Sequence, residues 1–123
     1  MQYLTDRKRA EGMGSAKSGT AHFWKMKVSS AVLMLLIPLF VGVFGSLVGQ
    51  PYENVIISLS NPIVAVLMAL TFIVGLNHFK GGVETLIEDY VHGGAQKIAL
   101  IVMASVSYGL MAFAVFAIAR IAL

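Results

Sequence analysis

Residues 28–49 run for 22 positions without a charged side chain. Coiled as a helix at ~1.5 Å per residue, such a run crosses the ~30 Å hydrocarbon layer of a bilayer. It is too long for the apolar stretch of a signal peptide, and no small-residue cleavage pattern follows it. Residues 98–119 form a second uncharged run of 22 positions, closed by Arg120. The whole chain of 123 residues is 58% hydrophobic and only 12% charged, with a mean hydropathy of +0.82. Soluble domains average about 25% charged residues, so half that figure leaves no surface suited to water. Seven Met, seven Phe and twelve Gly agree with helices packed in lipid, where glycine is common. The expected class is an all-α integral membrane protein.

Between those runs the pattern is less simple. Apolar sequence lasts from residue 63 to 76, then meets Asn77, His78 and Lys80. Fourteen residues cannot span a bilayer unaided, since about 20 are needed. Either the segment is re-entrant or interfacial, or it spans and carries Asn77 and His78 into the hydrocarbon. Pro62 suits a first helical turn, and the helical pattern continues through Gly81 and Gly82 to about Tyr90, which favours spanning. Gly93-Gly94 then reads as a helix stop. The expected layout is a polar basic arm over residues 1–27 and a three-helix anchor over 28–123. Its helices cover about 28–49, 62–90 and 97–120, with Pro38 kinking the first and a polar connector over 50–61.

Charge placement gives an orientation. The arm carries Arg7, Lys8, Arg9, Lys17, Lys25 and Lys27 against Asp6 and Glu11, whereas residues 50–61 hold no Lys or Arg. The positive-inside rule then puts the N-terminus in the cytoplasm and the C-terminus outside. A basic cluster in that place is a topogenic signal, not a nucleic-acid footprint. With no cysteine, the chain holds no disulfide, thiolate zinc site, iron–sulfur cluster or covalently attached c-type haem.

An ionisable residue inside a span costs at least ~2.5 kcal/mol for the charged types and usually marks a function. His78 is the deepest of the three histidines; His22 and His92 fall just outside helices, where water can solvate them. At ~100° per residue, His78, Gly82, Thr85 and Asp89 share one stripe, bordered by Gly81, while Lys80 and Glu84 form an i,i+4 pair on another face. One reading of His78 is an imidazole hydrogen-bonded to a neighbouring helix. The other is an axial ligand, with the glycines leaving room for a flat porphyrin, although glycines also serve close helix packing. Tyr90 lies ~18 Å along the helix from His78. It is either an aromatic-belt residue or a phenol that donates to the carbonyl of a lipid-soluble ligand.

The run from His78 to Asp89-Tyr90, His-Phe-Lys-Gly-Gly-Val-Glu-Thr-Leu-Ile-Glu-Asp-Tyr, resembles the second helix of the hydrophobic membrane-anchor subunit of succinate dehydrogenase, respiratory complex II. Gly19-Thr-Ala-His-Phe-Trp-Lys-Met-Lys-Val-Ser-Ser-Ala is similar to the start of the first helix in bacterial members, with Lys27 where many relatives have arginine. The resemblance covers the first helix's start, the loop and the second helix; the third is only generically apolar. It implies that His78 is an axial ligand of a haem b whose other ligand comes from a second, cytochrome b556-type anchor subunit. It implies that Tyr90 hydrogen-bonds ubiquinone, supported by Asp89, that Gly82 gives haem clearance, and that Lys27 serves a propionate or the quinone. Lysine keeps the charge of arginine there but loses its bidentate geometry. The flavin and the iron–sulfur clusters would sit on soluble subunits. The implied work is passing electrons from succinate to quinone in a bacterial inner membrane, without oxidising succinate itself. The alternatives are an anchor for quinol:fumarate reduction and a small structural membrane protein without redox function.

Overall fold

The computed structural model describes residues 5–11 and 19–123. Among them are five helices and no strand: α1 Asp6–Glu11, α2 Gly19–Leu47, α3 Tyr52–Leu59, α4 Pro62–Tyr90 and α5 Gly94–Ala122. Helices α2, α4 and α5 are long and apolar enough to cross a membrane. Each has 29 residues and so measures ~43 Å, longer than the ~30 Å hydrocarbon core. The middle helix is continuous across Asn77, His78 and the Gly81-Gly82 pair. Its apolar part is therefore one portion of a full span and not a re-entrant half-helix.

Local chemistry sets the ends. Asn61 caps α4, its side chain accepting from the Ile63 amide at 2.9 Å, and Pro62 fills the first turn, where no donor is needed. Gly49 and Gly93 both adopt positive φ, +79° and +71°, a conformation costly for residues with a Cβ. The first long helix therefore ends at Leu47, short of residue 49. Gly93 separates α4 from α5, and Gly94 already belongs to α5, three residues before the expected start.

Two differences from the sequence reading concern polar segments. Helix α2 begins at Gly19, not Val28, because residues 20–27 contain neither Gly nor Pro and because Met26 and His22 have an apposed surface on α4. The helical portion of the arm thus reaches well beyond the apolar run. The connector is also not plain loop. Val55, Ile56, Ser58 and Leu59 give α3 one part-buried side, packed on α4 and α5, while Tyr52 and Ile57 face outward. Lys17 of the basic arm lies outside the described residues, and α2 runs unbroken through Pro38.

Helix α4 is central, packing on α2 along one side and α5 along the other, while the two outer helices barely meet. Few of the described side chains are buried: Leu33, Ala65, Met68, Ile87 and Ser107. Phe40 meets Phe72 edge to face at 5.9 Å, a favoured aromatic geometry. Most other large apolar groups, Met34, Leu35, Ile63 and Phe113 among them, point outward. In water that would be an aggregation surface; against lipid or further helices it is the ordinary state of a membrane anchor.

Candidate functional site

The contact between α2 and α4 is made of alternating polar and close-packed rungs. His78 Nδ1 lies 2.7 Å from Ser29 Oγ. Ser29 Oγ in turn donates back to its own helix, with the carbonyls of Lys25 and Met26 at 2.8 and 3.0 Å, the usual habit of serine inside a helix. One turn further along α4, Gly81 is buried. A Cβ built there would lie 2.8 Å from Met26 Sδ and 3.8 Å from the His22 ring, so glycine is what lets the helices approach. Thr85 comes next: its hydroxyl donates to the Gly81 carbonyl at 3.1 Å and meets His22 Nε2 at 3.3 Å.

These rungs border a groove of about 720 Å³ lined by His22, Lys25, Ser29, His78, Lys80 and Glu84 among others. Lys80 and Glu84 form an ion pair at 2.8 Å, with side-chain exposures of 13% and 25%. Lys80 Nζ also sits 5.3 Å from the centre of the Tyr108 ring, a cation–π contact that ties α4 to α5. His78 also borders a smaller recess of about 470 Å³, lined by Ser30, Leu33, Met34, Ile37 and Pro38. Gly82, beside Gly81, has open space where its Cβ would be. The two adjacent glycines thus differ in environment: one is a packing contact and the other an unfilled flank.

Asp89 and Tyr90 are both exposed at the C-terminal end of α4, Tyr90 at 78%. Neither has a side-chain partner among the described residues. Lys27 reaches back over the Phe23 ring at 5.5 Å and does not line the groove; Lys25 does.

The chain matches the family model described as succinate dehydrogenase/fumarate reductase transmembrane subunit over residues 1–119. It belongs to that family. It is 42% identical over 123 residues to the succinate dehydrogenase hydrophobic membrane anchor subunit of Paracoccus denitrificans, covering 100% of this chain and 95% of the relative. Similarity extends to the hydrophobic membrane anchor subunit of Rickettsia bellii, 30% identical over 95 residues, 76% of this chain and 75% of that one. The membrane anchor subunit of Reclinomonas americana is 28% identical over 88 residues, 69% of this chain and 73% of that protein. No solved structure matches significantly. As a succinate dehydrogenase membrane anchor, the chain is a multi-pass membrane protein that works within a larger complex.

Within this family member the predicted stripe divides in two. His78 and Thr85 meet α2, whereas among the described residues a Gly82 Cβ would meet open space and the Asp89 side chain has no partner. The sequence reading did not single out Ser29, Lys25 or Tyr108. Each left a trace: a hydroxyl in an otherwise apolar run, a lysine one turn before it, and a lone phenol within α5's uncharged stretch. His22, read as a solvated histidine, is exposed but also lines the groove. The Lys80–Glu84 pair, read as a separate face, borders the groove as well.

Proposed function

We propose that this anchor holds a b-type haem through His78 and contributes Tyr90 to a ubiquinone-reduction site. The observation that carries the haem half is the state of the His78 ring. Its Nδ1 is engaged by Ser29, and no partner among the described residues occupies Nε2. The residues around it fit the group. An axial ligand needs one imidazole nitrogen with a free lone pair, and a porphyrin needs clearance beside the helix, which open-flanked Gly82 supplies. The recess of Leu33, Met34, Ile37 and Pro38 suits a hydrocarbon edge. A propionate is better served by Lys25, in the groove, than by Lys27, which lies over Phe23. Haem when bound supplies a one-electron centre inside the membrane. The second axial nitrogen would come from a second anchor subunit.

Tyr90 would donate its O–H to a quinone carbonyl, with Asp89 ordering the phenol or nearby water. Both lie at the end of α4 that, by the positive-inside rule, faces the cytoplasm of a bacterial inner membrane. The flavoprotein and iron–sulfur subunits that oxidise succinate would dock there, delivering two electrons per quinone, with two protons taken from the same side. A reduced-minus-oxidised spectrum of the complex purified through this chain tests the reading. A b-type band with co-purifying flavoprotein is expected, and its loss in His78→Ala ties the band to this residue. A colourless preparation without flavoprotein would instead support a structural role.

A further inference from the structure

The three polar contacts of Ser29 Oγ together constrain where the proton sits on His78. A serine hydroxyl has one hydrogen and two lone pairs, and a neutral imidazole has one N–H and one bare nitrogen. Ser29 Oγ lies 2.7 Å from His78 Nδ1, and its hydrogen has two backbone carbonyls within 2.8 and 3.0 Å. Ser30 donates to Met26, one of those carbonyls, at 2.8 Å, which leaves Lys25's as the main acceptor for Ser29. With its hydrogen on the backbone, Oγ can only accept from Nδ1, for two bare lone pairs do not approach to 2.7 Å. In that arrangement the proton is on Nδ1, and Nε2 carries the free pair. The opposite arrangement, with the hydroxyl turned toward Nδ1, would put the ring proton on Nε2 and abolish its capacity to bind iron.

Building on the haem reading, we infer that Ser29 is the positioning residue that selects the Nδ1–H form of His78 and so presents Nε2 as the ligand. The device is local. Any serine inside a helix finds the i−4 and i−3 carbonyls in reach, so the hydroxyl's direction is set by α2's own backbone. The Gly81–Met26 contact keeps α2 close enough for the bond to form. A partner that accepts from the remote nitrogen also makes an imidazole a stronger donor to metal, which favours the ferric state.

The isosteric pair Ser29→Thr and Ser29→Val tests this in the intact complex, since threonine keeps the hydroxyl and valine does not. Haem per flavin, the low-spin electron-paramagnetic-resonance signal and the haem midpoint potential are measured together. Removing such a supporting group typically costs 10–100-fold in metal affinity. Ser29→Val should therefore lose haem about tenfold more readily on dilution, and the haem it retains should have a raised midpoint potential; Ser29→Thr should match the parent. Wild-type affinity, spectrum and potential in Ser29→Val would overturn the inference, as would equal losses in both variants. If β-branching itself hinders assembly, judged by flavin content, Ser29→Ala removes the hydroxyl without added bulk and is held to the same outcomes. Retention of low-spin haem in His78→Ala would instead sink the haem reading, whatever Ser29 does.

Discussion

Helix α4 carries its candidate chemistry in two places that are built very differently. Around His78 the chain completes its own surroundings: a hydrogen bond with α2, a buried glycine contact, and an ion pair leaning on α5. At Asp89 and Tyr90 it completes nothing, for both side chains are exposed and unpartnered among the described residues. On the proposed reading, an isolated anchor is prepared to orient an axial ligand, whereas the proposed quinone pocket waits for other subunits to supply walls. That division suits an order of assembly in which haem joins the anchors before soluble subunits close the quinone side.

The sharpest way to break the comparison is His78→Ala. It removes the proposed axial nitrogen, so low-spin haem should be lost, become high-spin, or acquire an adventitious ligand, while succinate oxidation with a soluble dye persists. The optical and paramagnetic spectra decide it; an unchanged low-spin signal would place the ligand elsewhere. Next in size is the contrast between adjacent glycines. Gly81→Leu drives bulk into Met26 and the His22 ring, and overpacking of this kind costs ~1–3 kcal/mol. Gly82→Leu meets open space among the described residues and should leave α2 on α4 undisturbed, yet still lower haem content by filling the flank proposed for the porphyrin. Thermal unfolding in detergent should separate the two. If Gly82→Leu is the more destabilising in a haem-free preparation, the assignment of the two faces is reversed.

Much of this architecture is written in hydropathy alone. The bounds of α4 follow from Pro62 and from the end of the periodic pattern at Tyr90, because a capped helix start and a long uncharged run are local signals. The N-terminal nine residues of α2 are not legible that way. Gly-Thr-Ala-His-Phe-Trp-Lys-Met-Lys has no apolar period, and what orders it is a tertiary surface, the Gly81 notch, which lies more than fifty residues away. The site divides along the same line. His78 stands out as a lone imidazole in an apolar stretch, but Ser29 becomes meaningful only when α2 is laid against α4. The division of labour between Gly81 and Gly82 likewise depends on which one faces the neighbour, and spacing alone could not separate positions one residue apart.

The Lys80–Glu84 pair offers a smaller test of how far the His78 region is self-contained. Both side chains are mostly shielded, and removing one partner of such a pair leaves a charge without compensation, a larger penalty than the pair's net worth. Glu84→Ala should therefore destabilise the assembled complex more than the double change Lys80→Met with Glu84→Met. Contacting residues commonly couple by ~0.5–3 kcal/mol, and a double-mutant cycle on the thermal midpoint measures the coupling. A cycle that closes near zero would mean that the two charges do not depend on each other, leaving the Lys80–Tyr108 contact as what ties this face of α4 to α5.

The smallest expected effect tests the open end of α4. Tyr90→Phe deletes one O–H and keeps the ring, and since the phenol makes no bond among the described residues, stability of the anchor itself should not change. A hydrogen bond to a neutral acceptor is worth ~0.5–1.5 kcal/mol net, which corresponds to about 2- to 13-fold in rate if the whole of it is felt in the transition state. Succinate:quinone activity should fall within that range while succinate:dye activity in the same membranes stays constant. Loss of both together would report damaged docking of the soluble subunits at this exposed end. A decrease well beyond 13-fold would mean that the phenol also orders Asp89 or passes a proton, and Asp89→Asn should then show a comparable loss. If neither activity falls, Tyr90 is an interfacial aromatic, and the quinone pocket draws its donor from another subunit.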